Sequence, residues 1–173
     1  MATYNHEWDI GSVSATVSAV SAMAALQSKP NDIFPFTVKG RSGATSIKVS
    51  EIYDLIDTLG TFDNWGQGPD PVQVSVATPT SFTFTTLSGH HRGSGQTISF
   101  ETFERGGHLW LRQYGTYIWT IKHPFSSLFN WGANLGASGA WALQAHNLRA
   151  VLGVEGKFER FVIPGSRTVW PQW

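Results

Sequence analysis

The reactive side chains of this sequence gather in SFTFTTLSGHHRGSGQTISFETFE, residues 81–104. His90 and His91 are adjacent, Arg92 follows them, and Gly89, Gly93, Ser94 and Gly95 flank the trio. An imidazole titrates near neutrality and can pass a proton, while a guanidinium can hold an anion. With Glu101 downstream as an acid or base, His90, His91, Arg92 and Glu101 form the candidate catalytic set. A plainer reading stands beside it: a solvated hairpin loop in which the glycines relieve backbone strain. A phosphate loop is not supported, since no Gly-Lys-Ser/Thr end is present and a strand follows.

Spacing removes other chemistries. Adjacent histidines on an extended chain point to opposite sides, and no His-Glu-x-x-His spacing occurs, so no metal site is expected. The Gly-x-Ser-x-Gly elbow of serine hydrolases is absent, and GASGAW at 136–141 departs from it. The chain has no cysteine, which excludes disulfides, thiolate ligands and cysteine nucleophiles. No cofactor is implied.

A second group lies on the strand 108–114. His108, Trp110, Arg112 and Tyr114 share one face, and Leu109 and Leu111 take the other. Facing inward, the first four would wall a pocket with rings and two polar anchors, and Glu101 or Glu104 could pair with Arg112 or His108. The alternative places the leucines in the core with Phe82, Phe84, Ile98 and Phe100, and leaves the His/Trp/Arg/Tyr row outside. On the last helix, His146 and Arg149 sit away from the apolar stripe and read as a solvated face.

Composition bounds the answer. Of 173 residues, 41% are hydrophobic and 14% charged, so the chain can bury a core and is not disordered. One domain is expected over 1–173: a helix and short strands to residue 70, a meander plus C-terminal helix over 71–153, and an aromatic tail over 154–173. Twelve basic and 12 acidic residues cancel without forming a block of either sign, which argues against a nucleic-acid partner. No 18-residue apolar run occurs, so no transmembrane helix is expected, and MATYNHEWD lacks the features of a secretory signal. The compartment stays open. Eight Trp, 11 Phe and four Tyr with 18 Gly suit a strand-rich fold with a ring-lined interior or a ring-bearing surface.

The elements that must position these residues are legible in part. Residues 12–28 carry a helical stripe of Val13, Val17, Val20 and Ala24 and also a strand-like alternation; the alanines and the Lys29-Pro30 stop favour a helix. DIFPFTVKG reads as extended and SIKVS as a short strand, while EIYDLIDTLG fits either a helix or a strand. From Val72 an antiparallel meander is expected, through Val72/Val74/Val76, Phe82/Phe84, Ile98/Phe100, a turn at ERGGH, and HLWLRQY continuing into TYIWTIKH. A final helix from the region of Trp131 carries Trp141, Ala145, Leu148 and Leu152 on one side and ends at Gly153.

The fold class expected is therefore α+β, a curved antiparallel sheet packed by a C-terminal and an N-terminal helix. With its long terminal helix NWGANLGASGAWALQAHNLRAVLG, the chain resembles the helix-grip superfamily of START lipid-transfer domains, Bet v 1-like proteins and polyketide cyclases. The segment PTSFTFTTLSGHHRGSGQTISFETFERGGHLWLRQYG is similar to strand-turn-strand passages of small bacterial members. The resemblance covers about residues 70–153. It implies a pocket between sheet and helix for an apolar or amphipathic small molecule, with chemistry on it in some members. Phe82, Phe84, Phe100 and Trp110 would line that pocket, Trp141 would close it, and His108 or Arg112 would orient a polar group. Two other classes remain open: an enzyme or toxin-like effector with a His/Arg/Glu cleft, and a glycan- or membrane-binding module using Trp65, Trp170 and Trp173. The aromatic tail is also a candidate surface for homo-oligomer formation.

Overall fold

In the structure, a computed structural model that describes residues 2–56, 69–90, 93–117, 141–154 and 161–162, the sheet begins earlier than expected. Residues Ala2–Ser12 form a strand, β1, which pairs antiparallel with the last long strand of the meander. Then come helices α1 (Ala19–Ser28) and α2 (Pro30–Ile33) and strands β2 (Thr37–Gly40), β3 (Ile52–Ile56) and β4 (Asp70–Thr78). Strands β5 (Ser81–Thr86), β6 (Thr97–Arg105) and β7 (His108–Tyr117) complete the meander. Helix α3 is described over 141–152, and β8 (Phe161–Val162) pairs with β1. The sheet order is β2-β3-β4-β5-β6-β7-β1-β8. The molecule is α+β, with a curved antiparallel sheet and a C-terminal helix.

The helix expected over 12–28 is shorter than its apolar stripe. Ser18 is the N-cap: its hydroxyl accepts from the Ser21 N–H at 3.1 Å, and the Ser21 hydroxyl accepts from the Ser18 N–H at 2.8 Å. Upstream, the Ser14 hydroxyl accepts from the Val17 N–H at 3.1 Å, holding a turn. The serines thus spend their hydroxyls on local backbone donors and stop the helix from reaching back to residue 12. Val20, assigned to the buried stripe, is 55% exposed, while Ala22, Met23 and Leu26 face the core. SIKVS is not a strand: the Ile47 N–H donates to the Gln27 carbonyl at the end of α1. Within EIYDLIDTLG, Ile52–Ile56 form a strand, and the residues after them lie outside the described residues. A bulge between Val74 and Val76 turns Val76 away from the core, at 49% exposure, although Val72 and Val74 are buried.

One face of the sheet holds the core. Val72, Val74, Phe82, Phe84, Phe100, Leu109 and Leu111 pack there with Trp8 and Ile10, beneath α1, Phe34, Phe36 and the Trp141/Ala145/Leu148 side of α3. Glu104 turns to this side, where its carboxylate accepts from the Ala19 N–H at 3.0 Å; Thr102 donates to the Ala19 carbonyl at 2.7 Å. These two bonds seat the first turn of α1 on β6.

The end of α3 is fastened to an irregularity in β1. Register shifts between Asp9 and Gly11, so Ile10 is a bulge residue. Arg149, read from sequence as part of a solvated face, is buried and donates to the Ile10 carbonyl at 2.9 Å; His146 is exposed, as expected. Helix α3 ends at Gly153 as the pattern indicates. The Val154 N–H returns to the Arg149 carbonyl and the Gly153 N–H to Ala150, the paired bonds of a Schellman ending. Gly11, at φ +138°, lies under Val154: a Cβ there would stand 2.7 Å from Val154 Cγ1.

Candidate functional site

The candidate residues divide between the two faces of the sheet. Because side chains alternate along β7, Leu109, Leu111 and Gln113 face α3, and His108, Trp110, Arg112 and Tyr114 face the opposite way. The pocket-wall reading of that row is corrected accordingly: its residues cannot line a chamber with Phe82, Phe84, Phe100 and Trp141. The two leucines decide the orientation, since both are fully buried.

The outer row forms an ion-pair cluster with β1 and β6. Glu7 stands opposite Arg112 in the ladder, and Glu101 stands opposite it on the other side. The Arg112 guanidinium donates to Glu7 at 2.7 and 2.9 Å and to Glu101 at 3.0 Å. Arg105 adds a contact to the second Glu7 oxygen at 2.9 Å. Burial works to lower the Arg112 pKa, but hydrogen bonds and charge from Glu7 and Glu101 hold it above its ordinary value. The Arg105 guanidinium lies 4.0 Å from the centroid of Trp110, whose indole N–H donates to the Arg105 carbonyl at 3.3 Å. His108 Nδ1 is 3.0 Å from Asp9 Oδ1, an oxygen that also accepts from the Gly11 N–H at 3.0 Å. Tyr114 is 39% exposed.

The two described members of the candidate catalytic set, His90 and Glu101, are not brought together. His90 follows β5 in the β5–β6 connection, buried, with Nδ1 3.9 Å from Asp70 Oδ1. His91 and Arg92 lie outside the described residues. Glu101 stands four residues beyond Thr97, where that connection ends, and so about 13 Å further along the strand. Its carboxylate is engaged with Arg112. Gly89, Gly93 and Gly95 have φ of +95°, +85° and +80°, so the glycines of the loop do serve its backbone. Among the described residues no group of three or more His, Asp or Glu could hold a metal ion. No described helix is long and apolar enough to cross a membrane. Trp65, Trp131, Trp170 and Trp173 lie outside the described residues, as does the tail proposed for oligomer formation apart from Val154, Phe161 and Val162.

The inner face carries Phe82, Phe84, Phe100 and Trp141 of the expected set, without Trp110, and adds Phe34 and Phe36. Phe100 stacks on Phe82 at 4.9 Å between centroids and meets Phe34 edge-on at 5.1 Å and Trp141 at 5.6 Å. Phe84 approaches Phe82 at 5.3 Å, and Phe36 approaches Trp141 at 6.4 Å. Beside these rings is a buried polar group that sequence reasoning missed: His6 and Trp8 of β1, Gln113 of β7 and Gln144 of α3. The Trp8 indole N–H donates to Gln113 Oε1 at 2.6 Å. Gln113 Nε2 donates to Gln144 Oε1 at 2.6 Å and to the Trp141 carbonyl at 3.3 Å. Two signals for them were present. Gln113 continues the Leu109/Leu111 face at period two, and Gln144 lies three residues from Trp141, on its side of the helix.

His6 stands opposite Gln113 in the ladder, and burial pushes its pKa down to about 4 from 6.5. It is therefore neutral at pH 7. The unfolded chain takes up the His6 proton below pH 6.5, while the folded protein resists it until about pH 4. Stability is expected to fall across that window by up to about 3 kcal/mol and to be indifferent to this group above it. Denaturant melts of the wild type and His6→Gln between pH 4 and 7 check this: the variant should show the shallower slope.

The arrangement defines a class of fold. Solved structures match over nearly the whole chain, and the fold is helix-grip-like. The Aha1 dimer from Colwellia psychrerythraea is 18% identical, with a TM-score of 0.54, covering 90% of this chain and 100% of that one. Ara h 8.0201 is 9% identical at a TM-score of 0.55, covering 89% and 100%. The KanY protein is 12% identical at a TM-score of 0.58, covering 88% and 99%. At these identities the likeness is one of fold. No protein-family model matches the sequence, and no curated protein matches it.

Proposed function

We propose that the chain binds an apolar or amphipathic small molecule between α3 and the inner face of the sheet. The observation that carries this is the placement of the rings. Phe82, Phe84 and Phe100 all face α3, and Trp141 of that helix closes on Phe100. The helix-grip-like fold supports the same reading, because the resemblance implies a ligand in that space. Phe34 and Phe36 join the lining, and the rings touch one another, so a ligand enters by displacing them. His108, Trp110, Arg112 and Tyr114 have no part in this chamber; the first three tie β1, β6 and β7 together on the far side.

Native mass spectrometry of the purified protein, followed by denaturing extraction, tests the proposal together with titration of 1-anilinonaphthalene-8-sulfonate. A co-purifying small molecule, or saturable uptake of one dye per chain, is expected. A bare protein mass combined with no saturable dye uptake would overturn it.

A further inference from the structure

We propose that Gln144 is the hydrogen-bond anchor of this chamber, and that the ligand it takes is an uncharged ring compound bearing a carbonyl-type acceptor oxygen. The inference rests on the binding reading above and adds the chemistry of the ligand. Three buried side chains fix it. The Trp8 indole carries one N–H and no acceptor, so the Gln113 atom 2.6 Å away must be the oxygen. That choice sets the other end of the Gln113 amide as its NH2 group. The Gln144 atom 2.6 Å from that NH2 must in turn be an acceptor, the Gln144 oxygen. The second Gln113 hydrogen is directed to the Trp141 carbonyl at 3.3 Å. Both hydrogens of the Gln113 amide are thereby used, and its oxygen accepts from Trp8.

The relay ends on a donor. Gln144 is fully buried, its oxygen is committed to Gln113, and its Nε2 has no hydrogen-bond partner among the described residues. A buried amide nitrogen in that condition is a standing cost to the apo protein, removed when a ligand brings an acceptor. Rotating the amide does not help, because it would set two NH2 groups against each other. Gln144 lies one turn along α3 from Trp141, whose ring meets Phe100 and Phe36. A ligand among those rings is therefore within one helical turn of the free donor.

The charge of the ligand follows from what surrounds that donor. An amide offers a partial positive charge, enough for a ketone, ester or amide oxygen and too little to offset desolvation of a carboxylate. His6, opposite Gln113, is neutral at pH 7. The one buried cation described on this side of α3 is Arg149, five residues and about 7.5 Å along the helix, with its guanidinium on the Ile10 carbonyl.

Three probes of one shape provide the test: 9-fluorenone, fluorene and fluorene-9-carboxylate, with 1-indanone and indane as a smaller pair, titrated by tryptophan fluorescence. The wild type should bind each ketone about tenfold more tightly than its hydrocarbon. Gln144→Leu should abolish that preference while still binding the hydrocarbon. The infrared carbonyl band of fluorenone bound to the wild type should move to lower wavenumber, a readout that needs no variant. Equal binding of ketone and hydrocarbon with an unshifted carbonyl band would overturn the anchor and leave the chamber standing. Preference for the carboxylate would overturn the assignment of an uncharged ligand. Failure of every probe to bind would count against the chamber itself and the anchor with it.

Discussion

Replacement of Gly11 by alanine should lower the melting temperature by about 10 °C. Two costs add. The backbone at φ +138° is one that residues with a Cβ rarely adopt, worth about 1–3 kcal/mol. The new methyl would also stand 2.7 Å from Val154 Cγ1, closer than carbons approach, and relief by overpacking costs about 1–3 kcal/mol more. In a chain of this length each kcal/mol moves the midpoint by about 2–4 °C. The double variant Gly11→Ala/Val154→Ala separates the two, because truncating Val154 removes the clash and leaves the backbone strain. Calorimetric melts of both should show partial recovery in the double variant. A single variant melting with the wild type would mean that the end of α3 does not press on the β1 bulge.

Phe100→Ala should cost about 3–5 kcal/mol, the largest single effect expected among the described residues. Phe100 is fully buried, and its ring meets those of Phe34, Phe82, Phe84 and Trp141. Phe34 and Phe84 meet four rings each as well, so Phe100 stands in the most densely shared part of the cluster. Truncation leaves a hole lined by aromatic carbon, which stays dry and can take a small apolar guest. Benzene should therefore raise the melting temperature of Phe100→Ala by more than it raises that of the wild type. A loss below about 1 kcal/mol would show that the neighbouring rings close the gap by themselves.

The meander was legible because its strands carry the alternation that a half-buried sheet requires. Phe82/Phe84 against Thr83/Thr85 and Leu109/Leu111 against His108/Trp110 both fix a face from sequence alone, and Gly153 marks the end of α3. Strand β1 was not read, although His6, Trp8 and Ile10 alternate with Glu7 and Asp9. Both sets are buried, so apolar and charged residues fall on two covered faces and hydrophobicity alone does not reveal the period. The Ser-rich stretch after it was read as too much helix, because spacing does not show hydroxyls committed to local turns. Val76 kept the right period and landed on the wrong face, since a bulge shifts register by one residue without a mark in the sequence.

The candidate site divided along similar lines. The ring set was visible because large apolar side chains at period two leave few alternatives. The polar partners were not: Gln113 and Gln144 acquire their meaning from each other across 31 residues, and Trp8 lies 105 residues from Gln113. The GHHRGSG loop drew attention through residue type alone, and chemistry needs groups brought within reach of one another. Glu101 instead serves Arg112, a pairing the sequence reading did anticipate.

The position of β1 between β7 and β8 also sets a timetable for folding. Trp8 must wait for a partner 105 residues downstream. At about 5–20 residues per second, a ribosome takes roughly 5–20 seconds to deliver it. Throughout that interval the strand bearing Trp8 and Ile10 has no neighbour, while β4 to β7 can zip hairpin by hairpin as each emerges. The last assembly step is then the return of the earliest strand to the far edge of a finished meander, a closure of high contact order that limits the folding rate.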